Sequence, residues 1–373
     1  MNIAIIVGSN TDSISVDSFP EWLEDIPDKY FNLSKEKYGA GDYGLASDCG
    51  VAYYVKKHAP KKHKIDLLSY KDIQLKKFNE YDMIFGMYEP YYYFTDKRVN
   101  KGDPKKALQH FHKYCSIIQQ YKGIYDQPLP LIKYILNKKR YLMDCKKIGI
   151  PINDTLFYNL RTSNQKNIKG LIEKIQKKCE TEWLTSTFIT KPEMVGFSKG
   201  FQKWKVSELG SKKFKDYIQE MKKSTYPKLL IQYFVPDFEI FNEVRLYWIN
   251  GKYSHAIGTI IQPDSLNSDW EKISFSYPEN ESDEGDHVLD MKLMRQLKKY
   301  GKKVFDILPK DKHNEYPLIV RTDFGCCLNN KNLCRDYFLN EIEYMPNLFP
   351  DYNPYKDPLE AIGKEILRRI KNQ

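Results

Sequence analysis

The 373-residue sequence has no apolar run long enough to cross a membrane. The apolar run near its start, Ile3 to Val7, has no basic residues ahead of it, so no secretory leader is expected and a cytoplasmic setting is. Cysteine is sparse: 7 residues, an odd number without regular spacing, which excludes a disulfide framework and fits a reducing compartment. Cys326, Cys327 and Cys334 lack the paired C-x-x-C spacing and nearby histidine of a zinc site and read as ordinary thiols. There is no G-x-x-x-x-G-K-[ST] loop and no His-Arg-Asp kinase signature, which excludes the two commonest nucleotide-phosphate machines. No Ser-His-Asp or Cys-His pattern offers a protein nucleophile. A concentrated block of basic residues is also lacking: 59 Lys and Arg stand against 49 Asp and Glu, a net +10. That balance fits anionic ligands such as nucleotides and phosphates, and equally fits lysine used as a solubiliser.

Hydrophobic residues make up 41% and charged residues 29%, the composition of a soluble globular chain long enough for two or three domains. Residues 1–125 read as a small α/β domain. Its strands are Ile3 to Val7 and Tyr81 to Gly86. A helix begins at Pro104, with Leu108, Phe111, Cys115 and Ile118 on one face. Residues 39–50 hold four glycines and read as a mobile loop. Tyr88, Tyr91, Tyr92, Tyr93 and Phe94 form an aromatic run whose commonest use is packing. Asn137 opens a basic helix that stops at Gly149 with Pro151 beyond it. A strand that begins at Trp183 ends at Lys191 and runs into a turn containing Gly196, Ser198, Lys199 and Gly200. Lysine charge, a hydroxyl and glycine backbone suit phosphate there. Residues 228–235, KLLIQYFV, form a near-continuous apolar run that reads as a buried strand. Asn250-Gly251 between apolar runs predicts a hairpin. Residues 279–286 are acidic and read as a solvated loop. A helix carrying Leu293, Leu297, Tyr300 and Val304 follows, and a last helix carries Leu359, Ile362, Ile366 and Ile370.

The stretch 317–347 organises the rest. Two apolar runs flank an Asn-rich loop, which predicts a strand, a turn and a strand. Arg321 and Asp323 leave one face of the first strand; Glu341 and Glu343 leave one face of the second. If the strands pair, three carboxylates and a guanidinium converge. Such acids repel one another unless a cation sits among them, and Mg²⁺ is the hard cation that also takes phosphate oxygens.

Arg-x-Asp followed by Asn-Glu-Ile-Glu-x-Met-Pro-Asn resembles the magnesium end of the ATP-grasp ligases. The order of the other motifs resembles that superfamily over residues 137–347. The resemblance implies an α/β (α+β) ATP-grasp fold: a Rossmann-like domain over 1–125, then two α+β subdomains over 126–225 and 226–373 that sandwich ATP. By the same resemblance Asp323, Glu341 and Glu343 hold Mg²⁺ or, in its place, Mn²⁺. Lys138 or Lys139, Lys191 and the loop with Gly196, Ser198, Lys199 and Gly200 hold the ATP phosphates. Gln232, Tyr233 and Val235 line the adenine hinge, and Glu239 takes the ribose. Arg245 and Arg321 face phosphate or the acceptor. Glu343 stands where the superfamily more often has Asn. The implied reaction joins a carboxylate to an amine through an acylphosphate, on small-molecule or peptide substrates. A hydroxyl-phosphorylating kinase of the same fold remains the alternative. So does a basic nucleic-acid-binding protein, although nucleic acid is not an expected partner; a homo-oligomer stays open.

Overall fold

The computed structural model describes residues 1–7, 13–14, 26–38, 45–69, 73–86, 103–162, 165–193, 200–223, 227–236, 243–261, 271–275, 291–329, 334–344, 346, 348 and 358–371. The expected aromatic run, the acidic loop, residues 39–44, Gly196, Ser198, Lys199 and Glu239 lie outside them.

The first sheet grows from the apolar run at the start of the chain. β1 (Asn2–Val7) is followed by a short pair, β2 (Ser13–Ile14) and β3 (Leu45–Ala46), then by β4 (Lys64–Ser69), β5 (Met83–Gly86) and β6 (Ile124–Tyr125). Strand order is β4-β1-β5-β6, and all three pairings are parallel. A parallel sheet is buried on both faces, which is why β1 is apolar at consecutive positions. Ile3, Ile5 and Val7 pack with α1 (Asp28–Tyr38), α2 (Ser47–His58) and the closing helix; Ala4 and Ile6 face Phe111, Tyr114 and Ile118. Among the described residues the helices that follow α2 are α3 (Leu75–Phe78) and α4 (Pro104–Gln120). Asp103 caps α4 by accepting from the Lys105 N–H at 2.8 Å, with Pro104 at the first helical position.

The predicted loop over 39–50 is corrected from residue 45 onward: Leu45 and Ala46 are strand, and Gly50 lies inside α2. The reason is a close approach. A Cβ on Gly50 would stand 2.5 Å from Leu359 Cδ1, so the glycine lets the last helix seat against α2.

Two antiparallel sheets follow. Helices α5 (Leu129–Ile135) and α6 (Lys138–Lys147) lead into β7 (Thr155–Asn159) and α7 (Gln165–Lys178), with a π turn at Cys179–Trp183. Trp183 therefore ends a helix rather than beginning the predicted strand, and β8 runs over Thr187–Pro192. With β9 (Gln202–Lys205), α8 (Lys212–Lys223) and β10 (Lys228–Tyr233) it completes the sheet β7-β10-β8-β9. One face of that sheet is covered by α7 and α8 around Ile175, Phe188, Trp204, Phe214 and Ile218. Each such side chain, once buried, contributes about 2 kcal/mol of transfer free energy.

The third sheet has the order β13-β12-β11-β14-β15. Its strands are β11 (Glu243–Ile249), β12 (Lys252–Ile261), β13 (Glu271–Phe275), β14 (Ile319–Asn329) and β15 (Cys334–Glu343). Asn250 at φ 46° and Gly251 at φ 75° make the β11–β12 turn, the left-handed pair that the Asn-Gly motif predicts. Helix α9 (Met291–Asp306) covers the face carrying Val244, Leu246, Trp248, Val320 and Phe324. The alternate residues of β11, β14 and β15 then point the other way. Helix α10 (Pro358–Lys371) returns to pack on α2.

Candidate active site

The face of the third sheet turned away from α9 carries the charge, and Arg245, Arg321 and Asp323 are buried there. Cross-strand register sets Arg245 opposite Asp323, Tyr247 opposite Arg321, Arg321 opposite Glu343 and Asp323 opposite Glu341. Both acidic pairs expected from the sequence therefore lie side by side. A β-bulge between Asp323 and Phe324 inserts Asn340 beside Glu341. A bulge re-aims one extra side chain, and here it sends Asn340 to the charged side.

Each carboxylate is engaged. Arg321 grips Asp323 with Nε and Nη2, both at 2.7 Å, and its Nη2 also reaches Glu343 Oε2 at 2.9 Å. Lys138, 2% exposed at the first position of α6, donates to Glu341 Oε1. Lys191 Nζ, from β8, donates to Asn340 Oδ1 at 3.1 Å. The Asn340 amide donates in turn to Glu243 Oε1 at 2.8 Å, and Arg245 Nε reaches Glu243 Oε2 at 3.2 Å. Four cationic and four anionic side chains thus meet where the second and third sheets face each other.

The electrostatics are uneven. Burial opposes the charge on Glu341, but the Lys138 and Lys191 ammonium groups outweigh it and hold its carboxyl below the ordinary range. Burial pushes the Glu343 carboxyl up to about 7; Asp323 and Glu341 add to the rise, and Arg321 offsets part of it. Burial and the neighbouring Lys138 push the Lys191 amine down to about 8, against the pull of Glu341, Glu243 and Asp323. The Arg321 guanidinium stays charged, because Asp323 and Glu343 more than offset its burial. The expected mutual repulsion of three acids is therefore corrected: Arg321 and Lys138 relieve it at Asp323 and Glu341, and it persists at Glu343.

The remaining predicted residues fall as follows. Lys138 enters the cluster. Lys139 is exposed, lies 5.6 Å from the centroid of the Phe157 ring, and contributes its backbone N–H to Glu193 Oε1 at 3.3 Å. Gly200 sits at φ 74° with its carbonyl accepting from the Tyr217 hydroxyl at 2.8 Å, which anchors the return of the loop to α8. Gln232 is buried, and its amide donates to Thr155 Oγ1 at 2.8 Å. The Tyr233 carbonyl accepts from Asn153 Nδ2 at 2.9 Å, and Val235 is buried. Sequence reasoning missed Asn340, Glu243 and Glu193. Glu193 is 1% exposed and takes Lys228 Nζ on both oxygens at 2.9 Å beside the start of α6, where a carboxylate favours the helix N-terminus. Its place two residues after Lys191 was the one signal available.

The donor set fits a hard divalent ion in kind, since Asp323, Glu341 and Glu343 offer only oxygen on adjacent strands. Among the described residues no three such side chains are gathered into a cage, because arginine and lysine hold them instead.

No protein-family model matches the sequence, and no curated protein matches it. Solved structures do match along the whole chain. D-cycloserine synthetase DcsG aligns with a TM-score of 0.63 at 12% identity, covering 99% of this chain and 100% of that one. D-alanyl-alanine synthetase A from Vibrio cholerae aligns at 0.60 and 14%, covering 100% and 99%. ATP-grasp ligase PsnB, complexed with minimal precursor, Mg and ADP, aligns at 0.55 and 10%, covering 99% and 98%. The chain has the ATP-grasp fold.

Proposed function

We propose that this chain is an ATP-dependent ligase that activates a carboxylate with Mg-ATP and joins it to an amine. The observation that carries the reading is the charge cluster, in which Lys138 and Lys191 from the central subdomain meet Asp323, Glu341 and Glu343 across the two facing sheets. Triphosphate and carboxylate repel each other, and a site that brings them together needs cations placed in advance.

Lys138 and Lys191 hold the phosphate oxygens once these displace Glu341 and Asn340 from their ammonium groups. Arg245 stands beside the same face and neutralises charge that builds on the transferred phosphoryl group. Asp323, Glu341 and Glu343 hold Mg²⁺, which when bound supplies charge neutralisation at the phosphates. Arg321 fixes Asp323 by its two-point grip and so sets the orientation of that ligand. On this reading residues 232–235 serve the adenine side, and the roles the sequence resemblance implies are phosphate binding for Gly196, Ser198, Lys199 and Gly200 and ribose binding for Glu239. In the first step a carboxylate oxygen bonds to the terminal phosphorus and ADP leaves. In the second the amine nitrogen bonds to the acyl carbon, phosphate leaves and a proton passes to solvent. Positioning and charge supply the catalysis, in keeping with the lack of a protein nucleophile.

The test is a screen of carboxylate and amine pairs, amino acids and peptides included, for ADP release that needs both partners. ADP release with a polyol alone would favour the hydroxyl-phosphorylating alternative, and ADP release with no acceptor would leave the reading unsupported.

A further inference from the structure

The net charge of +10 is not spread over the molecule. Residues 126–225 carry 21 Lys and Arg against 10 Asp and Glu, whereas residues 1–125 carry 18 against 16 and residues 226–373 carry 20 against 23. All of the excess positive charge therefore belongs to the central part of the chain. Much of it sits on α7 and α8. Both helices turn their apolar stripes, Ile168, Leu171 and Ile175 with Phe214, Ile218 and Met221, onto the same core. Their other faces carry the exposed Lys169, Lys174, Lys177, Lys212, Lys215 and Lys223. The pairs formed nearby use other lysines: Lys178 with Asp154 at 2.8 Å and with Glu182, and Lys213 with Glu208 at 3.1 Å. None of the six takes part in an ion pair among the described residues. The acids interspersed on these helices, Glu173, Asp216 and Glu220, number half as many.

A second feature marks the same layer. Leu184, just past the π turn that ends α7, is 79% exposed and sits at φ 48°, ψ 46°. The left-handed region costs a leucine about 1 kcal/mol, and full exposure returns nothing for it in the free chain. The conformation holds an apolar side chain out at the edge of a lysine-rich surface.

We propose that the outer face of α7 and α8, with Leu184 at its edge, is a docking surface for an acidic polypeptide segment. Lysines are point charges that attract flexible carboxylates without demanding a fixed geometry, whereas phosphate recognition favours the arginine fork, and these two helices carry no arginine. The exposed positions of the two helices carry no aromatic side chain either, so a single strand of nucleic acid finds no stacking platform on them. An apolar contact at Leu184 suits a peptide. The surface lies on the far side of the central sheet from Lys191, so a segment docked there leaves the charge cluster free. The proposal does not rest on the nucleotide reading.

The experiment measures fluorescence anisotropy of a labelled peptide of glutamates with a central leucine, titrated with the full-length protein at low salt. Its glutamine counterpart and a labelled oligothymidylate serve as comparison probes. The glutamate peptide is expected to bind at least about tenfold tighter than the glutamine peptide, weakening as salt rises. A variant with all six lysines changed to glutamine should lose about tenfold or more, and Leu184→Ser about threefold, while saturating ATP leaves the affinity unchanged. Retained thermal melting of both variants shows that the loss is not unfolding. Equal binding of the two peptides, no binding of either, or an unchanged affinity in the six-lysine variant would overturn the proposal. Tighter binding of oligothymidylate than of the glutamate peptide would overturn it in favour of nucleic acid.

Discussion

Two conservative substitutions two residues apart on β15, Glu341→Gln and Glu343→Gln, should move stability in opposite directions. Glu341 is the counter-charge of a lysine that is 2% exposed, and its carboxylate is 22% exposed. Removing that negative charge leaves the Lys138 ammonium buried beside the Lys191 ammonium. Breaking a fully buried pair costs about 3–5 kcal/mol; discounting for the partly open carboxylate leaves about 2–4 kcal/mol. Glu343 is the reverse case. Its carboxyl lies near 7 in the folded chain because burial and two neighbouring acids disfavour its charge. An acid whose value is raised by folding stabilises the fold fully below its ordinary value. That contribution fades as pH climbs from the ordinary value through about 7, because only the unfolded chain releases the proton freely. Above 7 the wild type carries the whole penalty, about 1–3 kcal/mol, and Glu343→Gln removes it while still accepting from Arg321. Thermal melts without nucleotide, at pH 5 and at pH 8, check both claims. Glu341→Gln should melt several degrees below wild type at both values. Glu343→Gln should match wild type at pH 5 and exceed it at pH 8. A Glu341→Gln protein as stable as wild type, or a Glu343→Gln gain that is the same at both pH values, would refute the charge assignment.

The Lys191 amine at about 8 sets a second pH dependence. It is charged below that value and neutral above it, so ATP affinity by calorimetry should fall about tenfold per pH unit above 8, and Lys191→Met should bind weakly with no such slope. Asn340→Ala removes the amide that bridges Lys191 Nζ and Glu243 Oε1, and should cost about 1–3 kcal/mol in chemical denaturation and weaken ATP binding. Gly200→Ala forces a Cβ to 2.8 Å from Pro192 Cγ at a positive φ; melting should drop and ATP affinity with it, whereas Gly170→Ala, with nothing within 4 Å, should leave ATP binding unchanged.

What the sequence could tell differed from place to place. The carboxylate hairpin was legible because strand periodicity alone puts Arg321 with Asp323 and Glu341 with Glu343, and the pairing then aligns them. The Asn-Gly turn was legible because its backbone demands those residues. Asn340 was not, because a bulge is a tertiary adjustment of one strand to its partner and leaves no periodic mark. The choice between Lys138 and Lys139 was open for a similar reason: adjacent residues on a helix start point apart, and only the docking of α6 against β15 decides which one is buried. Gly50 misled because a glycine required by helix packing looks, in sequence, like a glycine required by a loop. The neutralisation of the acids was hidden altogether, since Lys138 and Glu341 lie 203 positions apart.

The most direct test of the ligase reading is to supply ATP, magnesium and a panel of carboxylates with hydroxylamine in place of the amine. If the chain activates carboxylates, ADP and a hydroxamate should form in equal amounts, and Lys191→Met should form neither. ADP that accumulates with a phosphorylated alcohol and no hydroxamate would contradict the account.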